Sequence, residues 1–179
     1  MISRDFILRP FPGTGFLEGP TLSGTVTRQA ERLTVIYQLT DPNEDILLPE
    51  RSDKSVRRIE LWEETCFEFF LAEAHSSQYW EFNLSPKGDW NIFRFEAYRQ
   101  GKMEEKAVVL LPFEVQKERT RFSLFLEFDG KMLFNLQTSW ELAVCAVLKT
   151  REGKKSYWAL RHPGSKPDFH HREGFVITL

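Results

Sequence analysis

Cysteine is scarce in this chain. Only Cys66 and Cys145 occur among 179 residues, each in an apolar, strand-like segment. Two cysteines define no disulfide framework, so buried thiols in a reducing compartment are expected, with a cross-strand pair left open. No stretch is long and apolar enough to span a membrane. The start, "MISRDFILRPF", lacks the apolar run of a secretory signal, and the expected location is the cytoplasm. Neither sign of charge dominates: 24 basic and 26 acidic residues leave a formal net charge of -2. That balance argues against a nucleic-acid surface and against an acidic tail.

Catalytic signatures are missing as well. No Gly-x-Ser-x-Gly elbow, Gly-x-Gly-x-x-Gly turn or P-loop is present. "FPGTGF" is too short for a phosphate loop and reads as an N-terminal turn. No long helical stripe and no βαβ spacing appears, which weighs against a parallel α/β fold.

What is abundant is aromatic: 16 Phe, five Trp and four Tyr. A chain this long and this aromatic is expected to bury one substantial core as a single domain over residues 1–179. The pattern has period two almost throughout. In "TLSGTVTRQAERLTVIYQLTDPNED", Leu22, Gly24 and Val26 alternate with Ser23, Thr25 and Thr27, and Leu33, Val35, Tyr37 and Leu39 alternate with Thr34, Ile36, Gln38 and Thr40. Gln29–Arg32 forms the connection of a hairpin. "TCFEFFLAE" places Phe67, Phe69 and Leu71 on one face, and Cys66, Glu68 and Phe70 on the other. "YWEFNL" puts Trp80, Phe82 and Leu84 opposite Tyr79, Glu81 and Asn83. Pro86-Lys87-Gly88-Asp89 turns the chain, with Gly88 free to take positive φ. The return strand "WNIFRFEAYR" is expected to send Phe93 and Phe95 inward, and Ile92 and Arg94 outward.

Further strands are expected at 107–111, 121–128, 133–136, 141–150, 157–161 and 174–179. Residues 49–60, with Arg51, Lys54, Arg57 and Arg58, read as a solvated loop or short helix. "HPGSKPDFHHREG" reads as an irregular loop. The fold class is therefore all-β: an antiparallel sandwich or barrel with little helix.

Polar groups among the rings are the best functional signal. Glu68, Glu81 and Asn83 are expected to share a face with Arg94, with Trp62 just before the Glu68 strand. A flat ring stacks on a sugar's C–H face, and carboxylate, amide and guanidinium groups bond its hydroxyls. The same residues also fit a purely structural face, with Glu68 and Arg94 as a cross-strand ion pair. His162, His170 and His171, with Asp168 nearby, are weak metal candidates because their spacing is not that of a zinc site. Haem ligation would use His162 or His170 with Met103. Asp41, Asn43, Glu44 and Asp45 read as a polar turn rather than a calcium loop.

"LWEETCFEFFL", "YWEFNLSPKGDWNIFRFEAYR" and "YWALRHPGSKPDFHHREGFVITL" together resemble bacterial DOMON-like domains related to family 9 carbohydrate-binding modules. That resemblance implies a jelly-roll-like β-sandwich that binds without catalysis. It implies a saccharide or similar small polar ring clamped by two tryptophans. Trp62 matches the first clamp position and Trp158 is the candidate second. Glu68, Arg94 and Asn83 are the implied readers of hydroxyl groups. No cofactor, membrane or nucleic acid is implied. A protein-interaction module and a haem- or metal-binding module are the alternatives.

Overall fold

A computed structural model describes residues 1–13 and 19–179. The turn expected at "FPGTGF" therefore lies partly outside the described residues. Among the described residues, eleven strands lie on one hydrogen-bonded, antiparallel path that curls into two facing layers, and a twelfth pairs beside it. The first sheet contains β1 (Ile2–Pro10), β2 (Thr21–Gln29), β3 (Arg32–Thr40), β8 (Phe113–Lys117) and β9 (Arg121–Asp129). The second contains β4 (Cys66–Glu73), β5 (Tyr79–Leu84), β6 (Trp90–Phe95) and β7 (Met103–Glu104). It is completed by β10 (Trp140–Lys149), β11 (Lys155–Ala159) and β12 (Ile177–Thr178). β1 makes the corner: Ile2–Leu8 pairs with β2, while Arg9 and Pro10 pair with β11. The result is the all-β, sandwich-like architecture expected from the alternation.

The main core lies between the layers. Leu22, Val26, Leu33, Val35 and Leu39 point into it from the first sheet. Phe67, Phe69, Trp80, Phe82 and Ile92 meet them from the second. Rings interlock across the gap: Phe67 stacks on Phe122 at 5.1 Å, and Phe82 meets Phe128 edge-on at 5.2 Å. Tyr37 is fully buried, and its hydroxyl donates to the Glu68 carbonyl at 2.6 Å, tying the two sheets together. A buried hydroxyl must find such an acceptor. Gly24 faces the same core, where a Cβ would stand 1.8 Å from the Ile36 carbonyl oxygen and 2.5 Å from the Phe6 ring. No side chain fits there.

The first sheet is buried on one face only, so β2 and β3 alternate as the sequence does. The second sheet is buried on both. All six residues of β5 are buried. Its second face carries a separate cluster of Phe70, Tyr79, Phe93, Phe95 and Phe175. This explains one inverted expectation. Ile92 faces the inter-sheet core, and Phe93 and Phe95 face the second cluster. Both sets are apolar, so alternation could not rank them.

Other differences have local causes. The segment expected as a strand at 107–111 has no strand; Val108 and Leu111 instead plug the core edge. Arg57 holds it there, donating to the carbonyls of Glu105 at 2.9 Å and Val108 at 2.5 Å, with its guanidinium 4.2 Å from the Trp90 ring centre. The expected strand at 133–136 is replaced by a 3₁₀ turn at Gly130–Met132, after which Phe134 wedges between Trp80 and Trp140. β1 escaped notice because only Phe6 and Leu8 of its nine residues are buried. The basic residues near 51–58 act largely as clasps. Arg51 donates to the Phe113 carbonyl, and Arg58 pairs with Asp89 at 3.1 Å. Gly88 does take positive φ, +100°, in the β5–β6 turn. Both thiols are free and buried, so the open cross-strand pair is not formed.

Candidate functional site

A cleft of about 290 Å³ opens on the second face of the second sheet. Strands β4 and β5 make its floor. Register sets Glu68 opposite Asn83, and Phe70 opposite Glu81. Glu68 and Glu81 therefore lie diagonally on one face and both line the cleft. Both carboxyls are almost fully buried. Glu81 accepts from the Asn83 amide at 2.8 Å. Glu68 Oε1 has no hydrogen-bond partner.

Burial, and then the Glu81 charge, push the Glu68 carboxyl well above the ordinary carboxylate range. Burial raises Glu81 too, against the opposing pull of the Asn83 hydrogen bond and the Lys102 charge. Two such acids in one poorly solvated floor resist ionising together.

The walls come from three other places. Glu60 enters a 3₁₀ turn at Leu61–Glu63 with φ of 60°. Leu61 anchors the turn by burial, and Trp62 projects over the sheet, 6.1 Å edge-on from Phe93. β11 contributes Tyr157 and Lys155. The C-terminal segment lies across the sheet and contributes Phe169 and His170. Asp168 fastens that segment. It accepts from Arg99 at 2.8 Å, from the Tyr98 hydroxyl at 2.5 Å and from the His170 amide at 3.1 Å. Burial alone would raise the Asp168 carboxyl, but these donors hold it below its usual range.

A proton arrangement follows from the same contacts. The Tyr79 oxygen accepts from the Arg99 amide at 3.1 Å and lies 2.8 Å from His170 Nδ1. Burial pushes the Tyr79 hydroxyl up to about 12, so it stays protonated and donates to Nδ1. Burial, then the Arg99 charge, bring His170 down to about 4, so near neutrality its proton is on Nε2. That atom faces Glu81 Oε2 at 3.8 Å. A neutral ring at that distance makes no ion pair with Glu81.

Three of the five residues singled out from sequence come together here. Trp62 and Glu68 line the cleft, and Asn83 supports Glu81 from below. Arg94 is a correction. It pairs with Trp80, whereas Glu81 pairs with Phe93, so Arg94 lies on the opposite face of the sheet. It forms no pair with Glu68. Parity from the turn predicts this: with Leu84 opposite Trp90, Trp80 must meet Arg94. Trp158 is a second correction. It is 3% exposed, packs in the inter-sheet core and donates to Ser156 Oγ at 2.9 Å. Its neighbour Tyr157 faces the cleft instead, because adjacent strand residues point to opposite faces.

The three loop histidines do not converge. His162 Nε2 lies 2.9 Å from the Arg9 carbonyl, and His171 accepts from the Glu173 amide. Met103 pairs with Arg94 and so lies across the sheet from His170. Among the described residues no three metal-ligating side chains cluster. The Asp41 carboxylate accepts from the Ile46 amide, and Glu44 pairs with Arg119, as in a polar turn. Sequence reasoning missed Tyr157, Arg99, Lys102 and Phe169, and it took His170 for a metal candidate rather than a wall of this cleft. All but Tyr157 lie outside regular strands, where periodicity is silent.

The chain matches no protein-family model and no curated protein. Its fold is similar to a crystal structure of a "putative carbohydrate-binding protein" from Bacteroides uniformis, with a TM-score of 0.69 and 12% identity. The match covers 96% of this chain and 84% of that one. At that identity the likeness speaks for the fold. No helix is long and apolar enough to cross a membrane among the described residues.

Proposed function

We propose that residues 1–179 form a single ligand-binding domain, without catalysis, for a saccharide or similar small polar ring. One observation carries this reading. Trp62 stands at the mouth of a cleft whose floor holds two buried carboxyl groups, one with an unpartnered oxygen. Apolar walls with a few convergent polar groups are what a small-ligand site requires. The likeness to the Bacteroides protein agrees with it.

Trp62 provides the stacking surface in this reading, with Tyr157 on the β11 side. Glu68 and Glu81 bond the ring's hydroxyls. A protonated carboxyl both donates and accepts, which suits a hydroxyl that does both. Affinity for a simple sugar is expected in the millimolar to micromolar range, about -4 to -8 kcal/mol.

Titration calorimetry with a panel of monosaccharides tests it. Trp62→Ala should abolish the response while leaving the thermal melt within a few degrees of wild type. Unchanged affinity in that variant would show the stacking assignment to be wrong. Turnover of aryl glycosides by the purified chain would show the two acids to be catalytic.

A further inference from the structure

The charges in the cleft are unevenly matched. At the rim, Lys155 pairs with Glu63 at 2.5 Å and Arg99 with Asp168 at 2.8 Å. On the floor, Glu68 and Glu81 make no ion pair with a charged partner among the described residues: His170 lies 3.8 Å from Glu81 but its ring is neutral, and Lys102 and Arg99 act on the acids only through their charge. Glu68 is 3% exposed and its Oε1 has no hydrogen-bond donor. An unsatisfied, buried acceptor is costly, so a ligand that supplies a donor there gains more than an ordinary hydrogen bond.

The rings beside this floor already hold an ammonium. Lys102 makes no ion pair among the described residues. Its Nζ rests 4.0 Å from the Phe93 ring centre and 4.5 Å from that of Trp62. Aromatic faces attract a desolvated cation, and two carboxylates strengthen that attraction. A ligand ammonium reaching the floor would find both.

We propose that the ring ligand of this cleft carries a protonated amine, an amino sugar in its simplest form, with its ammonium between Glu68 and Glu81. The inference rests on the saccharide reading above and narrows it to a charge class. An ammonium between the two carboxyls favours their ionised forms, so binding releases protons. The groups that face them are Tyr79 beside Glu81 on β5, His170 from the covering segment, Tyr157 from β11, Cys66 and Cys145 on the neighbouring strand positions, and Arg99, Lys102, Glu63 and Lys155 at the rim. Lys102 competes with the ligand for the same field.

Calorimetric titration of the full chain at pH 6.5 with glucosamine, glucose, N-acetylglucosamine and glucuronate tests this, in two buffers of different ionisation enthalpy. Glucosamine should bind at least tenfold tighter than glucose or N-acetylglucosamine, with net proton release. Glu68→Gln should bring glucosamine within about twofold of glucose, so that the selectivity for the amine is lost. Lys102→Met should tighten glucosamine more than glucose. Glutamine keeps the side-chain shape, and wild-type selectivity needs no variant. Equal binding of glucose and glucosamine would overturn the inference and leave the saccharide reading intact. Tightest binding of glucuronate would assign the ligand's charge to Lys102 and overturn it too. No binding of any sugar would overturn the saccharide reading, and the inference with it.

Discussion

The two sheets use the same period of two for different ends. In β2 and β3 every second residue reaches water, and the outer face carries Ser23, Thr25, Thr34 and Gln38. In β4, β5 and β10 almost nothing does. A strand pair covered once reads as alternation; a strand pair covered twice reads as an aromatic run interrupted by a few polar groups. Those interruptions mark the second face. Glu68, Glu81 and Asn83 lie there because the C-terminal segment and the Trp62 turn roof the sheet incompletely. The first sheet has no such roof and needs no buried acid.

The contrast is most strongly broken from within the shared core. Phe69 is fully buried and stacks on Phe82 at 4.3 Å. Phe69→Ala should cost about 3–5 kcal/mol in urea melts, through lost transfer energy and a residual cavity.

A pH series should separate the layers next. His170 is shifted from 6.5 to about 4 in the folded chain, so the unfolded chain takes up the proton first. Its contribution is fully present above 6.5 and is lost as pH falls toward 4, a loss of roughly 3 kcal/mol in all. The glutamates run the other way. Their folded forms hold protons to higher pH, so they cost stability as pH rises above the ordinary carboxylate range of about 4.5. Denaturant melts from pH 4 to 9 should show His170→Gln flattening the acid limb and Glu68→Gln flattening the alkaline limb. Limbs unchanged by both variants would mean that the second layer is wetter than its burial implies.

The smallest effect belongs to the first sheet's outer face. Phe125 is 41% exposed there. Phe125→Ser should stay within about 0.5 kcal/mol of wild type in the same melts. A larger loss would show that this face too is covered in solution.

Much of the fold was legible one strand at a time. The β2–β3 and β5–β6 hairpins follow from alternation and turn residues, and Gly88 sits where the turn demands it. The candidate site was legible only in part. Trp62, Glu68 and Asn83 lie on or beside the cleft, whereas Arg94 and Trp158 were assigned to the wrong face. The Arg94 error is one of parity; Trp158 rested on the resemblance alone, and its strand turns it one residue away from the cleft. A strand residue and its neighbour point in opposite directions, and a sheet buried on both sides offers no polar face to fix which is which.

Sequence alone determined the all-β class, the hairpins and the main core, because a one-sided sheet writes its burial into every second residue. Only the tertiary structure decided that the second sheet would be covered twice. The covering comes from residues far along the chain: Trp62 on a 3₁₀ turn, Arg99 and Lys102 after β6, and Asp168 to Phe175 near the end. Their positions depend on long-range contacts such as Asp168 with Arg99, which no local period encodes. The cleft exists where that cover stops short, and there two carboxyl groups lie buried side by side.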